Sequence, residues 1–315
     1  MHTLVVLGIV GALAQLTAGS LGMGYGVLAT SALLAAGMTP ALASTSVHLA
    51  EIGTSAALGL SHWRLGNVDR RLVLGLGLPG AVGAFVGALG LTALSPAVAK
   101  VAMACVLVPL GVLLVVRFAV RPTVARVRTR PLPPTVTGTV GLVGGAVDAV
   151  GGGGWGPVAT TTLLVSGAAT PRVVVGSVDA AKLLVTVAAS SGFVLALGVH
   201  GVPFVVVLVL LSTGVAVAPI AAWLVTRLPH AVLGTAAGGL VALVNLGPLL
   251  TLADLRPGSS RWIVVALAAV TAATVAHVAV RVRREGRLTT SAGPLDRGEG
   301  SGGPDTVVSE APARG

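Results

Sequence analysis

Two glycine clusters, at 19–26 (GSLGMGYG) and 150–156 (VGGGGWG), interrupt long apolar stretches at matching places about 130 residues apart. In water such glycines would only weaken a helix. Inside a bilayer they do more, because lipid offers no hydrogen bonds and unwound backbone must be buried in protein or line a polar cavity. Paired breaks in corresponding positions of two halves point to a transporter's binding site. Of the 315 residues, 54% are hydrophobic and 10% charged, against about 25% charged in a soluble domain. Mean hydropathy is +0.96. With 44 glycines among many Val, Leu and Ala, helices can pack through small residues. The expected class is an all-α integral membrane protein.

The net charge of +10 comes mainly from arginines in short loops between apolar spans, a pattern that orients a membrane protein rather than building one basic patch. Aromatic residues make up 3% of the chain, too few for a base-stacking surface, so no nucleic-acid partner is expected. Cys105 is the single cysteine and offers neither a disulfide nor a thiolate metal site. Ala12-Leu13-Ala14 resembles a cleavage site, but no Lys or Arg precedes it, so the segment is expected to be retained. Residues 288–315, rich in Gly, Pro, Ser and acids, read as a disordered tail.

Residues 8–94 overlay residues 138–228. Gly22, Gly24, Tyr25 and Gly26 match Gly152, Gly154, Trp155 and Gly156, and Leu33, Leu34 and Gly37 match Leu163, Leu164 and Gly167. After one inserted residue, Thr39-Pro40 meets Thr170-Pro171, and the stretch 46–51 (SVHLAE) meets 177–182 (SVDAAK). The expected organisation is a first membrane repeat over 1–130 that ends in a basic loop, and a second over 131–261. A last helix with a basic flank spans 262–287, before the tail.

Apolar segments at 4–18, 27–37, 136–150 and 156–166 are too short to cross a bilayer singly, which takes about 20 residues. Each glycine-broken pair is either one broken crossing or a re-entrant hairpin. The arginines decide. With re-entrant hairpins, three crossings per half and a last helix at 262–281, fourteen Lys and Arg face one side and three the other. With full crossings the division is ten to seven. The positive-inside rule prefers the first. The reading is therefore two inverted repeats, each a short-helix hairpin plus three transmembrane helices, with the amino terminus outside and the carboxyl tail in the cytoplasm.

Each glycine break precedes a short helix starting near Tyr25 or Trp155, and free N–H groups at such a start form a natural anion site. Gly22, Gly24, Tyr25, Gly26, Gly152, Gly153, Gly154 and Trp155 are the candidates, with hydroxyls from Thr30 and Thr160 nearby. The competing reading is that the glycines only let helices pack closely. Glu51 and Lys182 lie ~15 Å into their helices, near the midplane. An ionisable group at that depth is a functional candidate by default. His48 and Asp179 each lie three residues earlier, on the same helix face. Asp179 and Lys182 are as apt to neutralise each other as to act on a substrate. Lys182 alternatively supplies a positive charge for an anion. Glu51 with His48 is the first choice for a proton-linked pair, since burial disfavours the charged form of either. Asp148, at the lip of the second cluster, either carries protons or repels substrate. His62 and Trp63 read as interfacial anchors, and Ser190-Ser191-Gly192 as small-residue packing. Neither a metal set nor a catalytic triad is expected, and no cofactor.

The order of these motifs resembles the sulfite exporter TauE/SafE family, also described as toluene sulfonate uptake permeases. The carrying residues are the glycine cluster, Gly37-Met38-Thr39-Pro40, Ala43-Ser44-Thr45-Ser46 and His62-Trp63-Arg64-Leu65-Gly66-Asn67-Val68-Asp69, with weaker echoes in the second half. The resemblance covers about residues 8–250. Ser44-Thr45 stands where Gly-Thr is usual, and Gly201-Val202-Pro203-Phe204 lacks the Asn and Asp of its counterpart. The resemblance implies transport of small sulfur-containing anions such as sulfite or organosulfonates, often outward. The expectation is a multi-pass permease of the cell membrane, not an enzyme, moving a small anion with protons through the lipid bilayer. A passive anion channel or a carrier of another organic acid is the alternative, and a homo-oligomer is left open.

Overall fold

A computed structural model describes residues 8–9, 11–12, 14–15, 25–120, 132–225, 230–254 and 257–291, and among these it is all-helical. The first half contains α1 (Tyr25–Ala35), α2 (Pro40–Arg64), α3 (Arg70–Ala93) and α4 (Pro96–Ala119). The second contains α5 (Pro134–Gly151), a π-helical turn (Gly156–Thr160), α6 (Thr161–Ser166), α7 (Pro171–Leu197), α8 (Phe204–Val225), α9 (His230–Asn245) and α10 (Gly247–Leu252), and α11 (Pro257–Ser291) follows. The matched sequence signals produce matched geometry. Gly37 (φ +90°) and Gly167 (φ +65°) end the short helices in left-handed conformations that glycine adopts without steric cost. Thr39 and Thr170 are both extended, each followed by a proline in the first turn of a long helix, where its missing N–H costs nothing. Asp69 caps α3, its carboxylate accepting from the Arg71 and Leu72 amides.

Five helical stretches are long and apolar enough to cross a membrane: Arg70–Ala93, Pro96–Ala119, Pro171–Leu197, Ala231–Leu252 and Gly258–Val282. The sequence suggests seven. Helix α2 has the length, 25 residues, but Ser44, Thr45, Ser46, His48 and Glu51 on it are buried in the protein, which lowers its hydropathy. The apolar described part of α8 is only Phe204–Val217. The expected helix over 231–250 breaks at Leu246, where Pro248 begins a new turn. Helix α11 runs to Ser291, four residues into the stretch expected to be a disordered tail, because the basic flank continues the helix. Residues 292–315 lie outside the described residues.

Glycines set how the helices meet. A β-carbon on Gly83 would overlap the Leu142 carbonyl, one on Gly145 the Gly80 carbonyl, and one on Gly141 the Leu76 carbonyl. Helices α3 and α5 therefore run parallel, backbone against backbone, as small residues permit. Helix α7 also runs parallel to α3, with Gly77 near Ala181 and Gly192 near Ala88. Helix α2 runs antiparallel to α7, and α4 antiparallel to α9, with Gly111 against Gly238 and Phe118 against Gly234.

These contacts fix the course of the second glycine-broken segment and of α1. Helix α5 starts beside Gly75, at the end of the bundle that holds Arg64, Arg70 and Arg117. It stops at Gly151, against Val106 and Leu107 in the middle of α4. Gly152 is left-handed (φ +69°), and the chain doubles back. Val158 lies near Gly144, and the Arg117 guanidinium donates to the Thr161 hydroxyl. Segment 134–166 is a hairpin that returns to its own end. Helix α1 leads the other way, from Gly26 beside Gly152 and Gly153 to Ser31, whose hydroxyl accepts from Asn245 Nδ2 at 2.8 Å. Gly8 and Gly11 lie along Thr213 and Leu210 of α8. The start of α1 at Gly26 thus meets the turn of segment 134–166 inside the bundle.

Candidate functional site

Four ionisable side chains from three helices converge beside that meeting point. Lys182 Nζ lies 3.1 Å from Glu51 Oε1, 3.0 Å from Glu51 Oε2 and 3.7 Å from Asp148 Oδ1. Asp148 Oδ2 lies 3.3 Å from His48 Nε2. Asp148 Oδ1 also accepts from the Trp155 amide at 2.8 Å, across the glycine turn. His48 and Asp148 have no exposed side-chain surface, and Glu51 is 5% and Lys182 17% exposed. Burial this deep requires pairing.

The histidine's partners constrain its protons. His48 Nδ1 is 2.9 Å from the Ser44 carbonyl oxygen, while the Ser44 hydroxyl donates to the Ala149 carbonyl at 2.5 Å. Each ring nitrogen thus faces an acceptor. Assigned from these partners, the His48–Asp148 pair holds one proton beyond a neutral imidazole and a free carboxylate. Lys182 and Glu51 then cancel, and the cluster is neutral as a whole.

Several expected sites fall near this cluster in unexpected pairings. Lys182 is joined to Glu51 and Asp148 rather than neutralised by Asp179. His48 bonds Asp148 rather than Glu51, because the i, i+3 neighbour competes with a carboxylate from another helix. Asp179 Oδ2 is 3.3 Å from His62 Nε2, both about a fifth exposed. His62 is therefore more than an interfacial anchor, a role that suits Trp63, whose ring carries the Arg70 guanidinium 4.7 Å from its centroid.

Gly22 and Gly24 lie outside the described residues. Tyr25 is half-buried, its hydroxyl 3.5 Å from the Leu210 carbonyl. Gly26, Gly152 and Gly153 touch backbone to backbone. A β-carbon on Gly26 would overlap the Gly152 carbonyl, one on Gly152 the Thr30 hydroxyl, and one on Gly153 the Val27 amide. Close approach is enough to require glycine at all three. Thr30 is buried with its hydroxyl 3.5 Å from the Gly152 carbonyl, Gly154 packs on Val147 and Asp148, and Thr160 is buried in the π turn. Trp155 is fully buried, its Nε1 donating to the Val178 carbonyl at 2.9 Å, and acts as a post between hairpin and α7. Ser44 escaped the sequence reading, although its place four residues before His48 is a legible signal. His62 offered none, since Asp179 is distant in the chain.

The profile described as "Sulfite exporter TauE/SafE" matches residues 7–247. The chain is 44% identical over 252 residues to the probable membrane transporter protein YtnM of Bacillus subtilis (strain 168), covering 79% of this chain and 84% of that protein. No solved structure matches. With its apolar helices and a polar cluster closed inside them, this multi-pass membrane protein belongs to the sulfite exporter TauE/SafE family of membrane transporters.

Proposed function

We propose that the protein is a secondary carrier that moves a small sulfur-containing anion, sulfite or an organosulfonate, together with a proton across the cell membrane. The observation that carries this reading is Lys182, a buried cation held between two carboxylates where the glycine tips meet. The neutral cluster does not accept an anion without cost, because a net buried charge is unfavourable by several kcal/mol. A proton on Glu51 removes that cost. It frees Lys182 from one partner and offsets the charge of the incoming anion. Anion and proton then bind and leave together. Asp179 with His62, about a fifth exposed and toward the arginine end, offers the proton a way between cluster and solvent.

Two inverted repeats fit this mechanism, since each side of the membrane then reaches the same site in turn. Three observations support the inversion. Segment 134–166 enters from the arginine end, and α1 leads from its turn toward the opposite end. Glu51 and Lys182, equivalent positions of the two halves, touch each other, as an axis relating the halves would have them do. Arg64, Arg70, Arg71, Arg117, Arg172 and Arg281 gather at one end, with Lys100 and Arg261 at the other. The positive-inside rule makes the arginine end cytoplasmic, and with it the carboxyl tail. Direction follows the summed gradients of anion and proton, so export runs on an anion accumulated inside.

The test is sulfite flux in proteoliposomes under an imposed pH gradient, with protein-free vesicles and Glu51→Gln as controls. Faster flux when proton and sulfite gradients point the same way is expected. Flux indifferent to the pH gradient would refute coupling, and flux without saturation would indicate a passive channel.

A further inference from the structure

Many serine and threonine hydroxyls in these helices bond back to a carbonyl three or four residues earlier, as do those of Thr45, Ser46, Ser61, Thr213, Thr235 and Thr274. That is the usual resting place for a hydroxyl in an apolar setting. Thr186 and Ser190 of α7 break the pattern. Thr186 is completely buried and Ser190 is 4% exposed, and neither hydroxyl has a hydrogen-bond partner. Both stand on the face of α7 that carries Lys182, at spacings of four and eight residues. Ser190 lies in the wall of a cleft of about 480 Å³ between α2 and α7, beside Leu49, Ile52, Val187 and Val194.

We propose that Lys182, Thr186 and Ser190 form a recognition ladder for a small oxoanion, the two unpartnered hydroxyls donating to its oxygens and Lys182 supplying the counter-charge. The inference rests on the carrier reading and gives its site a substrate class. Steps of four residues put neighbouring rungs about 6 Å apart along the helix. One small ion can bridge Ser190 and Thr186, or Thr186 and Lys182, but not all three. The ladder therefore has two stations, and Thr186 belongs to both. An anion without oxygens at its charged centre gains only the attraction of Lys182.

Thr186→Val keeps the side chain's shape and removes the hydroxyl, and Ser190→Ala does the same at the outer rung. With purified full-length protein in vesicles, Thr186→Val should raise KM for sulfite about ten-fold, the worth of one hydrogen bond to a charged group. Maximal flux should stay within about two-fold, Thr186→Ser should restore KM, and Ser190→Ala should raise it by a smaller factor. Thermal stability without sulfite should not fall in either variant, since no existing bond is lost. Unchanged KM in both variants overturns the ladder while leaving the carrier intact. So does a loss of flux that tracks a loss of stability and is not rescued by Thr186→Ser. If wild-type protein shows neither saturable sulfite flux nor protection from heat by sulfite, thiosulfate or methanesulfonate, the carrier reading falls and takes the ladder with it.

Discussion

Helices α2 and α7, equivalent in the proposed repeat, begin with the same Thr-Pro signal and face each other along antiparallel courses. Ser46 corresponds to Ser177, His48 to Asp179 and Glu51 to Lys182. The helix starts match and the chemistry does not. Where a helix meets its own equivalent, two identical charged side chains would confront each other in a medium with little screening. Opposite charges at Glu51 and Lys182 turn that contact from repulsion into an ion pair. The matched turns at Gly37 and Gly167 both have glycine.

Removing the cation breaks this complementarity most severely. Lys182→Met should leave Glu51 buried without a counter-charge, Asp148 keeping His48, and cost about 3–5 kcal/mol, as for other broken buried pairs. Thermal unfolding in detergent should show the loss, and transport should disappear with it. Next comes the contact between the tips. Gly153→Ala places a β-carbon on the backbone of Gly26 and Val27, so a cost of about 1–3 kcal/mol is expected from overpacking. Gly90→Ala, where nothing lies within 4 Å, should be neutral within about 0.5 kcal/mol. A similar loss at both sites would show that the tip contact is not special.

Glu51→Gln leaves Lys182 its second carboxylate, so the protein should still fold while sulfite flux loses its response to a pH gradient in vesicles. A retained response would move the coupling proton to the His48–Asp148 pair. Smallest is Asp179→Asn. Its ion pair with His62 is partly solvated, and such pairs contribute about 1 kcal/mol or less. Stability should barely change, and only the rate of proton-coupled flux should slow, by roughly two-fold.

Much of this was readable from residue patterns. Turn glycines, Thr-Pro helix starts and paired glycine clusters are local signals, and local physics placed α1, α2, α6 and α7 within a few residues. Depth along a helix also picked out Glu51 and Lys182. Partners across the fold were not readable, because helix spacing brings His48 to Glu51 and Asp179 to Lys182 whereas packing brings Asp148 between His48 and Lys182. The tight contacts at Gly26, Gly152 and Gly153 show the same limit. A need for small residues was visible in the sequence, but the backbone they admit belongs to the other half of the chain.

On the proposed membrane placement, hairpins that each stop half way leave the two aqueous faces divided by little more than the touch of Gly26 on Gly152 and Gly153. Voltage then drops across a thin septum rather than the whole bilayer. Each uncompensated charge passed through it exchanges about 2.3 kcal/mol per 100 mV. An anion travelling alone would be driven by the electrical field, and a monovalent one travelling with its proton would be blind to it.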